Sequence, residues 1–137
     1  MVEENQRLAC LNASVLIEYF RKTKKEKSFF AKLIDKGYEG FIVPITAHFE
    51  VYSGATKEQL PFWDNLFSDF IIIPYTEAYN KTALEIFADL KRKRKSITVS
   101  DLQIAATAKT LKYPLATINK KHFVVVDNLL LITPDEI

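Results

Sequence analysis

Four short apolar runs constrain this chain more than any other feature: residues 7–11, 70–73, 114–117 and 129–132, with 40–43 as a weaker fifth. None of them alternates apolar with polar positions, and a strand without alternation is one covered on both faces. The segments between them are longer. Residues 14–21, 24–36, 46–54, 58–67, 76–92 and 99–111 can each set an apolar stripe opposite a charged face at a period of about 3.6 residues, which predicts amphipathic helices. Punctuation falls where such helices should start or stop. Gly37 and Gly40 follow the second, Gly54 closes the third, Pro61 lies in the first turn of the fourth, and Pro74 and Pro114 stand at helix–strand junctions. Helices that separate doubly covered strands predict a three-layer α/β/α fold around a mostly parallel central sheet of about five strands. With no internal repeat or linker, residues 1–137 are expected to form one domain.

Composition narrows function by exclusion. A chain that is 48% hydrophobic and 26% charged, with only 3 Gly and 5 Pro, is neither disordered nor collagenous. Its formal net charge of +2 is too small to name a partner. Cys10 is the single cysteine, which removes a disulfide framework and a thiolate zinc site and fits a reducing, cytoplasmic setting. Glu3 and Glu4 stand where a secretory leader would carry basic residues, and no apolar stretch approaches the roughly 18 residues of a membrane span. Neither export nor membrane insertion is therefore expected. No glycine-rich phosphate loop follows the first strand, which counts against a Rossmann-like nucleotide binder.

In an open parallel sheet, sites form beyond the carboxyl ends of the strands, where the next helices begin. Four such junctions carry polar residues. Asn12 and Ser14 follow the first apolar run, and helix capping explains both locally. Glu50 lies within about a turn of the start of its helix, an end that favours acids. Thr98 followed by Asp101 is close to a capping box, yet Leu102, Ile104, Ala105, Ala106 and Ala108 make that helix apolar on most sides. Asp101 is thus placed at the sheltered end of a buried element. Thr117, Ile118 and Asn119 leave the 114–117 run for what reads as a polar turn. In a right-handed α/β fold these strand ends can converge on one edge and bring Asn12, Glu50, Asp101 and the 117–119 loop together. Oxygen ligands grouped in that way suit a hard divalent cation.

The motifs LNASVLIEYF, ITAHFEVYSG, SDLQIAATA and LATINKKHF, in that order and at those spacings, resemble the PIN-domain ribonucleases, most closely the VapC-like toxins of type II toxin–antitoxin pairs. The likeness runs from Leu8 to about Ile132. It implies a Mg²⁺- or Mn²⁺-dependent endoribonuclease acting on RNA, usually a homodimer, silenced by a small antitoxin that wraps its surface and reaches the acidic pocket. The same resemblance makes Glu50 and Asp101 metal ligands, gives Ser14 a supporting place in the first motif, and puts Thr117, Asn119 and His122 where a further acid is often found. The family's first aspartate falls on Asn12. Asparagine has nearly the shape of aspartate and caps a helix as well, but it offers a neutral amide oxygen where an anion is wanted. The fold is expected to survive the exchange while metal affinity and water activation fall. The exchange reads either as the deliberate disarming of a toxic nuclease or as a domain that has lost its metal. The alternative function is accordingly a non-catalytic PIN-fold module that binds RNA or protein.

Lys91, Arg92, Lys93, Arg94 and Lys95 form an unbroken basic run just before the Asp101 junction. Such a run at a helix C-terminus is usually a solvated face, and in a ribonuclease it could equally guide a phosphate backbone toward the pocket, with Lys120 and Lys121 on the far side. Lys22, Lys24, Lys25 and Lys27 read as solvated face. His48 stands two residues before Glu50, about 200° away on a helix, and reads as core or interface rather than ligand. Phe62, Trp63, Phe67 and Phe70 read as core or dimer contact, and Cys10 as a small buried hydrophobe.

Overall fold

In a computed structural model of the chain, which describes residues 6–137, the sheet grows outward from its first strand. Glu3 and Glu4 lie outside the described residues. Strand β1 (Leu8–Leu11) is buried along its whole length and pairs in parallel with β2 (Gly40–Pro44) on one side and β4 (Leu115–Ala116) on the other. Strand β3 (Ile71–Ile73) extends the sheet beyond β2, and β5 (Leu131–Ile132) extends it beyond β4, giving the order β3-β2-β1-β4-β5 with every pair parallel. The chain therefore steps outward from β1 to β2 to β3, then returns to lay β4 on the opposite flank of β1. That reversal opens a crevice at the carboxyl ends of β1 and β4, the place where open α/β sheets put their sites.

Among the described residues seven α-helices cover the sheet: α1 (Ala13–Arg21), α2 (Phe29–Asp35), α3 (Ile45–Ser53), α4 (Leu60–Phe67), α5 (Glu77–Arg92), α6 (Val99–Leu111) and α7 (Lys120–Phe123). Helix α6 is the central one. Ile104, Ala105, Ala106 and Ala108 have no exposed surface, and the small side chains let neighbouring elements approach closely on several sides, as the apolar sequence of this helix predicts. Helix α5 packs along it, with Thr110 Oγ1 donating to Thr82 Oγ1 at 2.7 Å. Phe20, Phe30, Phe41, Phe62, Trp63, Phe67 and Phe70 form a continuous aromatic cluster with ring centroids 4.9–6.1 Å apart, several pairs meeting edge to face. These rings are core. His48 stacks on Tyr52 and Phe67, with centroids at 4.6 and 4.9 Å, and its desolvation holds the imidazole below its ordinary pKa although Asp64 pulls the other way. Among the described residues no helix is long and apolar enough to cross a membrane.

Two segments differ from the sequence reading, while the weak 40–43 run forms a strand as expected. Residues 24–36 are not one helix. Lys25–Lys27 make a single 3₁₀ turn, Ser28 then accepts from Ala31 N at 3.1 Å, and α2 starts afresh. Lys25 is not a solvated side chain either: its Nζ donates to the carbonyls of Tyr19 and Phe20 at 2.9 Å and of Lys22 at 3.2 Å, closing the open C-terminal end of α1. The polar turn after β4 contains α7, because Phe123 must turn inward and is fully buried. The 40–43 run, as β2, is hydrogen-bonded on both sides.

Candidate metal centre

At the end of β1 the chain reaches Asn12 at the position that precedes α1, yet its side chain makes no cap hydrogen bond. Asn12 is 4% exposed, and its Nδ2 instead donates to Ser14 Oγ at 3.0 Å and to Thr117 Oγ1 at 2.9 Å, tying the end of β1 to the end of β4 across the crevice. Both hydroxyl oxygens accept again from the backbone, Ser14 from Ile118 N at 3.3 Å and Thr117 from Asn119 N at 3.0 Å. Each hydroxyl proton then has only the other hydroxyl, 3.4 Å away, as an acceptor among the described residues. A carboxylate at position 12 would take both protons. The surroundings of Asn12 thus have the hydrogen-bond polarity that an aspartate wants.

Helix α3 places Glu50 on the facing wall, where Ser100 Oγ donates to its Oε2 at 3.5 Å. Burial raises the Glu50 carboxyl above its ordinary pKa, the nearby Asp101 charge raises it further, and the Ser100 bond opposes both. Helix α6 brings in Asp101 from its first turn. Thr98 does the capping, its Oγ1 accepting from Asp101 N at 3.2 Å, which leaves the Asp101 carboxylate free to face His122 with Oδ2 3.1 Å from Nδ1. Only half of the expected capping box is therefore present.

These groups line one cleft of about 830 Å³. Asn12, Ser14, Glu50, Asp101, Asn119 and His122 all border it, while Thr117, fully buried, stands behind Asn12 and holds it. The predicted residues are brought together with one exception: Lys91, Arg92, Lys93, Arg94, Lys120 and Lys121 do not line it. Arg92 and Lys93 pair with Asp89, Lys93 also with Asp127, and Lys120 lies 3.7 Å from Asp135. Conversely, Arg21 and Lys22, read as helix end and solvated face, border the cleft, as do Ile17, Glu18, Thr98 and Ser100. The signal for Arg21 was present in the sequence: Ser14, Ile17, Glu18 and Arg21 stand at i, i+3, i+4 and i+7 and share one face of α1.

The donor set is all oxygen on the floor of the cleft, which fits Mg²⁺ or Mn²⁺ rather than a soft metal. Charge is its weak point, since among the described residues no three His, Cys, Asp or Glu side chains gather around one position. Glu50 and Asp101 would hold such a cation, with the Asn12 amide oxygen as a neutral third ligand. A cation so held would supply charge neutralisation at a phosphodiester and an acidified water.

The sequence profile of the PIN domain matches residues 9–129. The chain belongs to the PIN-domain family. Ribonuclease VapC1 of Methanocaldococcus jannaschii is 29% identical over 131 residues, covering 89% of this chain and 83% of that one. Among solved structures, the DNA-bound VapBC of Salmonella typhimurium superposes with a TM-score of 0.83 at 16% identity, over 93% of this chain and 98% of that one. A toxin–antitoxin complex from Klebsiella pneumoniae gives 0.73 at 23% identity, over 92% and 97%. At such identities the two superpositions speak for the PIN fold alone. The three-layer architecture and parallel sheet expected from the sequence are those of this family.

Proposed function

We propose that this PIN domain is a metal-dependent endoribonuclease toxin of the VapC-like class, weakened by Asn12, using Mg²⁺ or Mn²⁺, acting in the cytoplasm and restrained by a cognate antitoxin. The carrying observation is the convergence of Glu50 and Asp101 opposite Asn12 in one cleft at the β1/β4 reversal. Similarity to Ribonuclease VapC1 supports RNA as the substrate, and the toxin–antitoxin complex that shares this fold makes an antitoxin the partner to test. Exposed apolar side chains on α3 and α5, Phe49 at 69%, Leu84 at 60% and Phe87 at 52%, support a homodimer.

Division of labour in the cleft follows from each group's chemistry. Glu50 and Asp101 supply the negative charge that fixes a cation, Asn12 orients a third oxygen, Ser14 and Thr117 lock Asn12, and His122 restrains Asp101 from the solvent side. The test is RNA cleavage with Mg²⁺ or Mn²⁺, together with growth arrest on expression, for the chain beside its Asn12→Asp variant. Cleavage and arrest by the aspartate form are expected. If neither form cuts, the enzyme reading fails.

The missing third charge favours one other reading, a non-catalytic PIN-fold module that binds RNA or protein. Titration with Mn²⁺ separates the two. A surviving two-carboxylate pocket binds it weakly and loses it in Glu50→Gln, whereas a module without a metal shows no binding at all.

A further inference from the structure

Helix α1 leaves the cleft along a single stripe. Ser14, Ile17, Glu18 and Arg21 rise from the polar floor to a cation at the rim. Helix α7 also stands beside the cleft: its His122 borders the main cleft and two smaller grooves that share lining residues with it, while Lys121 borders both of those grooves. On each of these helices two cations are neighbours in sequence, and one of each pair is held by acids. Lys22 lies 3.7 Å from Glu18, and Lys120 lies 3.7 and 4.0 Å from Asp135 and Glu136. Arg21 and Lys121 are exposed and form no ion pair among the described residues.

This arrangement has an electrostatic meaning. Two carboxylates on the floor repel a polyanion, and free cations carried beside the cleft by α1 and α7 offset that repulsion. The basic run at 91–95, the obvious candidate in the sequence, lacks that position: two of its members are neutralised by Asp89 and Asp127, and none of the five borders the cleft or the two grooves beside it that Lys121 lines.

We infer that Arg21 and Lys121 are the phosphate anchors of a single strand of RNA laid across the cleft, one carried by α1 and one by α7. This rests on the ribonuclease reading above. Two such anchors hold the phosphodiester between them over the carboxylates. Because every nucleotide presents the same phosphate, they fix the position of the strand without selecting its sequence.

The test is anisotropy of a short fluorescein-labelled single-stranded RNA titrated with the full chain in EDTA, where nothing is cleaved, over a series of salt concentrations. Arg21→Ala and Lys121→Ala should each weaken binding about three- to tenfold and each lower the slope of log affinity against log salt by about 0.7, the share of one phosphate contact on a single strand. Arg21→Lys should restore most of the slope, which a merely structural role would not require. The double variant Lys91→Ala/Arg94→Ala should bind like the parent. If the parent binds and the loss follows Lys91 and Arg94 while the Arg21 and Lys121 variants keep its slope, the anchors are wrong and the ribonuclease reading stands. If the parent binds no RNA in EDTA, the anchors are wrong, and the cleavage assay with Mg²⁺ or Mn²⁺ decides the ribonuclease reading separately.

Discussion

Helices α1 and α6 begin at the same cleft with residue types that ordinarily cap a helix, and they use them in opposite ways. At α6 the cap is real: Thr98 accepts from Asp101 N, and the carboxylate three positions on is left free for the site. At α1 the cap position is filled by Asn12, whose side chain makes no cap bond and spends both amide protons on Ser14 and Thr117. A capping residue is therefore no argument against a functional one. What decides is where the side chain's own polar atoms bond: Thr98 spends its oxygen on the cap, whereas Asn12 leaves the cap unmade and bonds across the crevice.

The comparison can be broken most severely by chemistry. In an Asn12→Asp background, Asp101→Ala or Glu50→Ala should abolish RNA cleavage while thermal unfolding stays nearly unchanged, and retained cleavage in either double variant would remove both residues from the site. Next in size, Asn12→Asp alone should raise Mg²⁺-dependent cleavage by about a hundredfold, in line with the several kcal/mol that metal-borne charge stabilisation is worth. Steady-state rates on a defined RNA measure this, and equal rates would mean that position 12 does not touch the metal.

Stability effects are smaller and sharpen the contrast between the two helix starts. Thr117→Val should cost about 1–3 kcal/mol in urea unfolding, because it takes the acceptor from Asn119 N and from one Asn12 amide proton in a buried setting. Thr98→Ala should cost about 1 kcal/mol, the loss of an ordinary cap. The reverse order would mean that the β1–β4 tie is weaker than a surface cap.

The smallest expected effect is one of pH. Burial and the charge of Asp101 raise the Glu50 carboxyl in the folded state, so between its ordinary and its raised pKa the folded chain binds more protons than the unfolded chain. Stability contributed there falls as pH rises through that window and stays lost above it. Glu50→Gln should accordingly raise Tm slightly at neutral pH in a chelator, with the gain vanishing below the ordinary carboxylate range. Mn²⁺ should stabilise the parent more than the variant, and a Tm gain that is flat with pH would assign the effect to packing instead.

Much of this was legible in the sequence because the strands are buried on both faces. Leu8 to Leu11 carries no alternation and sits at the centre of the sheet, and three of the four polar junctions fall at the carboxyl ends of strands β1, β2 and β4, while the one at Asp101 follows helix α5 through a loop with no strand before it. Asn12, Glu50 and Asp101 could be grouped since the order of motifs and the handedness of the connections leave them one edge to share. Charge placement was less legible. A run such as Lys91 to Lys95 attracts notice by its density, and its pairs with Asp89 are local to the helix, but the pair between Lys93 and Asp127 depends on a residue 34 positions further on. Arg21 is one of several cations at a basic helix end, where nothing local distinguishes it, and its meaning comes from the stripe it completes. Lys25 was misread for a related reason: nothing in a lysine-rich segment marks the one side chain that folds back onto carbonyls.

Cys10 gives the sheet a built-in clock. It lies on β1 between β2 and β4 with no exposed surface, and burial pushes its thiol far above its ordinary pKa. Its side chain stands off a face of the sheet beneath the covering layer, so a maleimide reaches that sulfur only when this layer lifts away or the sheet itself opens, and the labelling rate of the chain's single thiol reports how often the core around β1 is breached. The crevice that holds Asn12 and Thr117 is built on the end of that same strand, so the reagent times the breathing of the layer on which the crevice stands.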